Sequence, residues 1–579
     1  MADHSSSYTG QPLRRFFRLL SFEKREITYI YLYAIFNGLI GLTLPLGIQA
    51  ILGLTLANEV SSSWLLLIVA VTAGTVLAGL IQIMQITVTE VLQQRIFAKA
   101  AFEFAYRIPR IRMEALLKYY PPELVNRFFD TLNLQKGLPK ILIDFSTAVL
   151  QIVFGVILLS FYHPAFVFFG LTLLLLLGLI IRLTGPQGLK TSLEESDNKY
   201  QVVFWLEELA RTLTTFKLGG DSRLPLRKTD EWVAKYLRAR NKHFRVLVQQ
   251  YGVVVGFKTV ITAGLLILGT ILLFEREINL GQFVASEIII ILIIGSVEKL
   301  VLSADTVYDV LTAVEKLGKV TDLPLESEKG IAFAEVDNGK GMHVKIQDLT
   351  FTYPGDHQPS LFHVSLEAQP GEKVCISGYN ASGKTLLLNL LSGIYDTRNY
   401  TGILTYNDIP LSNYQPGQFR GYIGDFLSNK FLFRGTLHEN LTMGRADVKL
   451  EDVMWALDAL GLTEFMQSLP KGLDTMILPE GPQLPQSISR KLVLAKVIAK
   501  KPRLLLMDEL LDIVDREERT RIAEFLTSCP LWTLIAVSND PLFASQCDKV
   551  AVMSQGSIIE TGSYAHISAR PYATNLFCL

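Results

Sequence analysis

The chain has 579 residues, too many for one ordinary domain. Hydrophobic residues make up 49% and charged residues 19%, and mean hydropathy is +0.31, which argues against a soluble protein and for membrane spans. Lysine plus arginine and aspartate plus glutamate are equal at 55 each, so charge gives no reason to expect a nucleic-acid or an acidic partner.

Residues 1–26 read as a tail followed by PLRRFFRLLSFEKREI, the pattern of an amphipathic helix lying along the inner membrane face. No cleavable signal is expected, because the first apolar run is too long and lacks a cleavage pattern. Residues 27–58 and 60–89 carry no charge, and each exceeds the roughly 20 residues that cross a bilayer. Residues 145–181 are also uncharged, but His163-Pro164 breaks them into two helices joined by a tight turn. Residues 246–274 and 278–301 complete a set of six spans, interrupted by Lys258, Glu287 and the Glu298/Lys299 pair.

Basic residues gather before span one, between spans two and three, and between spans four and five. The opposite loops, EVSSS, YHPA and EREI, hold a single arginine, so both termini are expected in the cytoplasm of a multi-pass membrane protein. Neither long cytoplasmic segment is Gly/Ser-rich, and helical spacing in RIFAKAAFEFAYRIPRIRMEALLKYY extends the spans as helices, with bends at YYPPELVNRF and near TLTTFKLGGDSR. A transmembrane domain over 27–320 follows. Lys258 and Glu287 stand where the bilayer makes charge costly. Both are read as cavity-facing, with snorkelling of Lys258 to the inner surface as the alternative. Their separation along the helices makes a direct bridge between them unexpected.

After a polar linker at 321–342, strand-like and helix-like segments alternate over 343–579, the pattern of an α/β domain. Gly378, Tyr379, Asn380, Ala381, Ser382, Gly383, Lys384 and Thr385 fit G-x-x-x-x-G-K-[ST] between the apolar strand KVCIS and a leucine-rich helix. Such a loop turns backbone N–H groups and a helix N-terminus toward phosphates; Lys384 would reach the β/γ-phosphates and the Thr385 hydroxyl would hold Mg2+. The apolar strand RLLLMDE ends in Asp508, placed to hold Mg2+ through water, and Glu509, placed as general base for the attacking water. Cys375, Cys529, Cys547 and Cys578 have no metal-like spacing and read as reduced cytosolic thiols.

Together, an all-α six-helix transmembrane domain followed by an α/β P-loop ATP-binding domain resembles an ABC exporter half-transporter over nearly the whole chain. On that resemblance Tyr353 in LTFTYPG stacks adenine, and Asp515 in DELLDIVD lies in the loop that crosses the dimer. FLFRGTLHENLTMG and LPKGLDTM match flanking family segments. INLGQFVASEIIII and EKLGKVTDLPLE are most similar to type I secretion (hemolysin-type) exporters of peptides and proteins. The N-terminal peptidase-like domain of many such relatives is expected to be absent. The resemblance implies ATP and Mg2+ as cofactors, a dimer with a second exporter chain, a bacterial inner-membrane location and a periplasmic adaptor.

Three positions depart from the family pattern. The phosphate-touching turn usually read LSGGQ falls on Leu484-Pro485-Gln486-Ser487-Ile488. Glycine no longer allows close backbone approach there, and proline offers no N–H. The glutamine that links magnesium to the coupling contacts aligns with Ser428, and the γ-phosphate-contacting histidine with Asn539. Two readings follow: an ATP-driven exporter subunit that hydrolyses weakly, or a non-hydrolysing pseudo-ATPase subunit that serves a partner chain. An ATP-gated channel is a third.

Overall fold

The computed structural model describes residues 10–577 except 22, 57–61, 118, 428–431, 479–483 and 509–514. By their packing the residues form two units, Met1–Pro109 with Tyr119–Leu323, and Arg110–Lys118 with Pro324–Leu579.

The first unit is helical: α1 (Gly10–Leu20), α2 (Lys24–Gly41), α3 (Thr43–Leu56) and α4 (Ser62–Arg107). After α5 (Met113–Leu116), which belongs to the second unit, come α6 (Pro121–Asn126), α7 (Asp130–Ser160), α8 (Ala165–Arg211) and α9 (Leu213–Leu218). They are followed by α10 (Leu224–Phe274), α11 (Leu280–Leu302) and α12 (Ala304–Thr321). Among the described residues, five helical stretches are long and apolar enough to cross a membrane; the fourth expected span coincides with the apolar start of α8. The expected break at His163-Pro164 is the turn between α7 and α8. There His163 meets Glu277 of the α10–α11 turn at 2.5 Å, so the two turns share one end.

Sequence explains these boundaries. Asn279 accepts from the Gln282 N–H at 2.8 Å while the Gln282 side chain accepts from the Asn279 N–H at 2.9 Å, a reciprocal cap that starts α11. In α7, Gly155 admits Ile293 of α11, whose side chain would lie 2.9 Å from an added Cβ. Beyond the apolar stretches, and at Gln250 near the start of the fifth, the interior turns polar. Thr191 meets His243 at 2.8 Å, the Gln250 amide donates to the Tyr308 hydroxyl at 2.7 Å, and buried Lys316 pairs with Asp197. A hydrogen-bonded interior of this kind suits helices packed on one another outside the apolar layer. Lys258 pairs with Glu298 at 3.3 Å, one helix across, while the buried Glu287 Oε1 has no partner among the described residues.

The second unit holds β1 (Val344–Phe351), β2 (Leu361–Ala368), β3 (Lys373–Gly378), α13 (Lys384–Leu391), β4 (Tyr400–Tyr406), β5 (Ile409–Pro410) and β6 (Ile423–Phe426). The short ribbon β7 (Gly435–Thr436) and β8 (Met476–Ile477) precedes β9 (Leu504–Asp508), β10 (Thr533–Val537), β11 (Lys549–Ser554) and β12 (Ser557–Gly562). An antiparallel sheet runs β2-β1-β4-β5, and a second sheet runs β12-β11-β3-β10-β9-β6, parallel except for β12. Strands β3, β9 and β10 are buried along their whole length, as continuous apolar runs in a parallel sheet should be. Even Lys373, which opens β3, is buried: it donates to the Cys529 and Trp532 carbonyls at 2.8 and 2.6 Å, and burial pushes its amine pKa down. Cys375, Cys529 and Cys547 are free thiols, and Cys578 lies outside the described residues.

Residues 110–118 are seated within this unit by specific bonds. Ile111 bridges Leu325, the Glu326 N–H donates to the Arg110 carbonyl at 2.9 Å, and the Arg112 guanidinium donates to the Leu325 carbonyl at 3.0 Å. Glu114 accepts from the Asn399 amide at 2.7 Å and from the Asp396 N–H.

Candidate nucleotide site

Strand β3 ends at Gly378, and the chain turns through residues 379–383 before α13 begins at Lys384. That turn needs both glycines. A Cβ at Gly378 would lie 2.4 Å from the Met553 carbonyl oxygen; at Gly383, with φ +98, it would lie 2.7 Å from Leu361. Ala381 is also left-handed, at φ 61, a conformation that costs an alanine about 1–2 kcal/mol. The motif pattern leaves position 381 open, so the sequence alone gives no hint of that strain.

Within the loop, Lys384 is buried and its ammonium donates to the Gly378 and Tyr379 carbonyls at 2.7 and 2.9 Å. Thr385 donates to Asp508 at 2.8 Å, so the two residues expected to hold Mg2+ stand together at the ends of α13 and β9. The Ser382 side-chain oxygen is buried with no partner among the described residues. A buried, unsatisfied hydroxyl inside a loop closed by an ammonium and a helix N-terminus fits a phosphate chain. The hard-oxygen pair Thr385 and Asp508 fits Mg2+, which takes few protein ligands beside phosphate oxygens.

Tyr353 follows β1, half-buried, and packs edge-on against Phe351 and Tyr395 with ring centres 5.1 and 6.1 Å away. Asp515 is exposed immediately before the helix Arg516–Ser528. Glu509 and Ser428 lie outside the described residues. Asn539 lies just past β10, and its side chain accepts from the Gly378 N–H at 3.1 Å and donates to the Gly378 carbonyl at 3.2 Å. The structure therefore gathers Gly378, Ser382, Lys384, Thr385, Asp508 and Asn539 around one loop. The Asn539–Gly378 contact, across 161 residues, is one that spacing could not reveal.

The stretch 484–488 is built differently. The helix Gln486–Ala499 starts with Pro485 in its cap position, without a side-chain cap bond. Leu484 and Ile488 are half-buried and pack against the apolar core.

With the geometry in hand, two family models match the chain: the ABC transporter transmembrane region over residues 27–297 and the ABC transporter domain over residues 361–512. Among curated proteins, the chain is 26% identical over 362 residues to the leukotoxin translocation ATP-binding protein LktB of Mannheimia haemolytica, covering 62% of this chain and 50% of LktB. It is 30% identical over 255 residues to the ATP-dependent lipid A-core flippase of Chromobacterium violaceum, covering 44% of this chain and 43% of the flippase. The match thus spans half or less of these relatives' length. A bacterial Atm1-family ABC exporter solved with ATP bound superposes with a TM-score of 0.82 over 96% of this chain and 98% of that one, at 17% identity, a likeness of fold. The chain is a half-transporter of the ABC exporter family, a helical transmembrane domain followed by an α/β nucleotide-binding domain.

Proposed function

We propose that the chain is the ATP-dependent export subunit of a transporter in a bacterial inner membrane, paired with a second exporter chain, and that it hydrolyses ATP weakly. The observation that carries this reading is a contrast within one unit. The phosphate loop holds a complete binding set, with Thr385 and Asp508 bonded at 2.8 Å beside Lys384. The stretch 484–488 instead presents a proline cap and two half-buried side chains packed against the core.

In this reading Gly378 to Thr385 bind the phosphates, Tyr353 stacks the base, and Thr385 and Asp508 hold Mg2+, which would neutralise phosphate charge. Glu509 orients and polarises the attacking water, and Asp515 lies toward the second chain. The loss of phosphate-directed groups at 484–488 and at Ser428 lowers the rate, since removing one transition-state donor costs about 100- to 1,000-fold. The likeness to LktB, a leukotoxin translocation protein, favours a peptide or protein cargo and a periplasmic adaptor; the likeness to a lipid A-core flippase makes lipid the competing cargo.

The test is ATP hydrolysis by the purified chain in lipid nanodiscs beside Lys384→Ala and Glu509→Gln, with nucleotide binding measured on the same samples. Slow hydrolysis abolished in both variants supports the exporter. Tight binding with no hydrolysis above the variants replaces it with a non-hydrolysing subunit that serves a partner chain.

A further inference from the structure

Strands β3 and β10 run parallel, with Val537 opposite Ile376 as their last paired rung. The next bonds continue the ladder by other means. The Ser538 N–H donates to the Ile376 carbonyl at 3.1 Å, and the Ser377 hydroxyl donates to the Ser538 carbonyl at 2.7 Å. One residue further, backbone gives way to side chain: the Asn539 carboxamide takes the Gly378 N–H and C=O together, at 3.1 and 3.2 Å. A carboxamide carries a fixed donor and a fixed acceptor, as a peptide group does, so at this length it serves as one more rung of sheet. Gly378 is where β3 ends and the phosphate loop begins.

The Gly378 carbonyl has a second donor, the Lys384 ammonium at 2.7 Å. To reach a phosphate, Lys384 must give up this carbonyl and that of Tyr379, and a carbonyl left without a donor opposes the move. Asn539 keeps the Gly378 carbonyl bonded when Lys384 leaves. Both polar ends of Asn539 are thereby committed to the base of the loop.

We propose that Asn539 is a positioning residue that braces the phosphate loop, and that it acts equally on a nucleoside diphosphate and a nucleoside triphosphate because it holds backbone at the loop's origin and reads no terminal phosphate. This rests on the nucleotide-binding reading above, and it does not depend on the rate of hydrolysis.

The experiment uses the full chain in nanodiscs and compares wild type with Asn539→Ala and Asn539→Leu. It measures MgATP and MgADP affinity, amide hydrogen exchange of the peptide spanning 376–385 without nucleotide, and the melting temperature. The expected result is a loss of affinity of about 3- to 10-fold, the scale of one or two ordinary hydrogen bonds, equal for MgATP and MgADP. Exchange in 376–385 should rise by a similar factor while the melting temperature stays within about 2 °C. Loss of MgATP affinity with MgADP affinity intact would overturn the brace, and so would unchanged exchange in the loop peptide. A general fall in melting temperature with exchange raised throughout the second unit would also overturn it, because Asn539 would then support the fold and not the loop. Failure of wild type to bind either nucleotide would instead overturn the nucleotide-binding reading itself.

Discussion

Two stretches of the second unit invite comparison because both are loops that lead into a helix. At 378–385 the chain accepts strain and unsatisfied polarity: Ala381 is left-handed, and the Ser382 oxygen is buried without a partner among the described residues. At 484–488 the chain has neither. Proline fixes the entry to the helix, and Leu484 and Ile488, half-buried, pack against the core. Strain persists where surrounding structure and a ligand return its cost. The first loop has the form of a site, and the second has the form of ordinary helix packing.

The change that should separate the two most strongly is Lys384→Ala. It removes an ammonium from the first loop and should lower ATP affinity by about 10- to 150-fold, the scale of charged hydrogen bonds, in equilibrium binding. The same change in the second loop's terms is the reverse experiment. Pro485→Ser, Gln486→Gly and Ser487→Gly together should raise hydrolysis about tenfold or more in a steady-state assay if that stretch faces nucleotide across a pair of chains. The two glycines should also weaken the start of the helix Gln486–Ala499, by up to about 1 kcal/mol each, seen as earlier thermal melting. An unchanged rate would mean that 484–488 is packing alone.

A third change tests the metal side. Thr385→Val deletes the hydroxyl bonded to Asp508 and should weaken MgATP binding about tenfold, while binding of ATP in excess chelator changes by less than twofold. Equal loss with and without metal would remove Thr385 from the Mg2+ site. The smallest expected effect concerns Ala381. Ala381→Gly relieves the left-handed backbone at some cost in chain entropy and should change ATP affinity by less than about threefold, upward. Ala381→Val should lower it several-fold, since a β-branched residue tolerates φ 61 poorly.

Much of this was legible in the sequence where the governing physics is local. The apolar runs, the His163-Pro164 turn and the strand–loop–helix around Lys384 follow from neighbours a few residues apart. What was not legible is what distant residues do to one another. Spacing along the helices makes a Lys258–Glu287 bridge unexpected, but it does not name the partner that Lys258 has, Glu298. Asn539 aligns with the family's γ-phosphate-contacting histidine, but its side chain is bonded to Gly378. Composition alone yields the six spans, and helical spacing in RIFAKAAFEFAYR yields the long continuation of α4. The pairing of buried Lys316 with exposed Asp197 follows from neither.

The packing of residues 110–118 with the second unit has a practical consequence. The chain passes between the units at three peptide bonds, after residues 109, 118 and 323, and not at one. A protease cut in the linker therefore leaves residues 110–118 on the N-terminal piece, holding the C-terminal piece only through the non-covalent bonds of that seam. A gene fragment begun at Pro324 would make a cassette whose Leu325 and Glu326 had lost Ile111 and Arg110, and whose Asn399 had lost Glu114. Supplying residues 110–118 as a separate peptide should restore that seam.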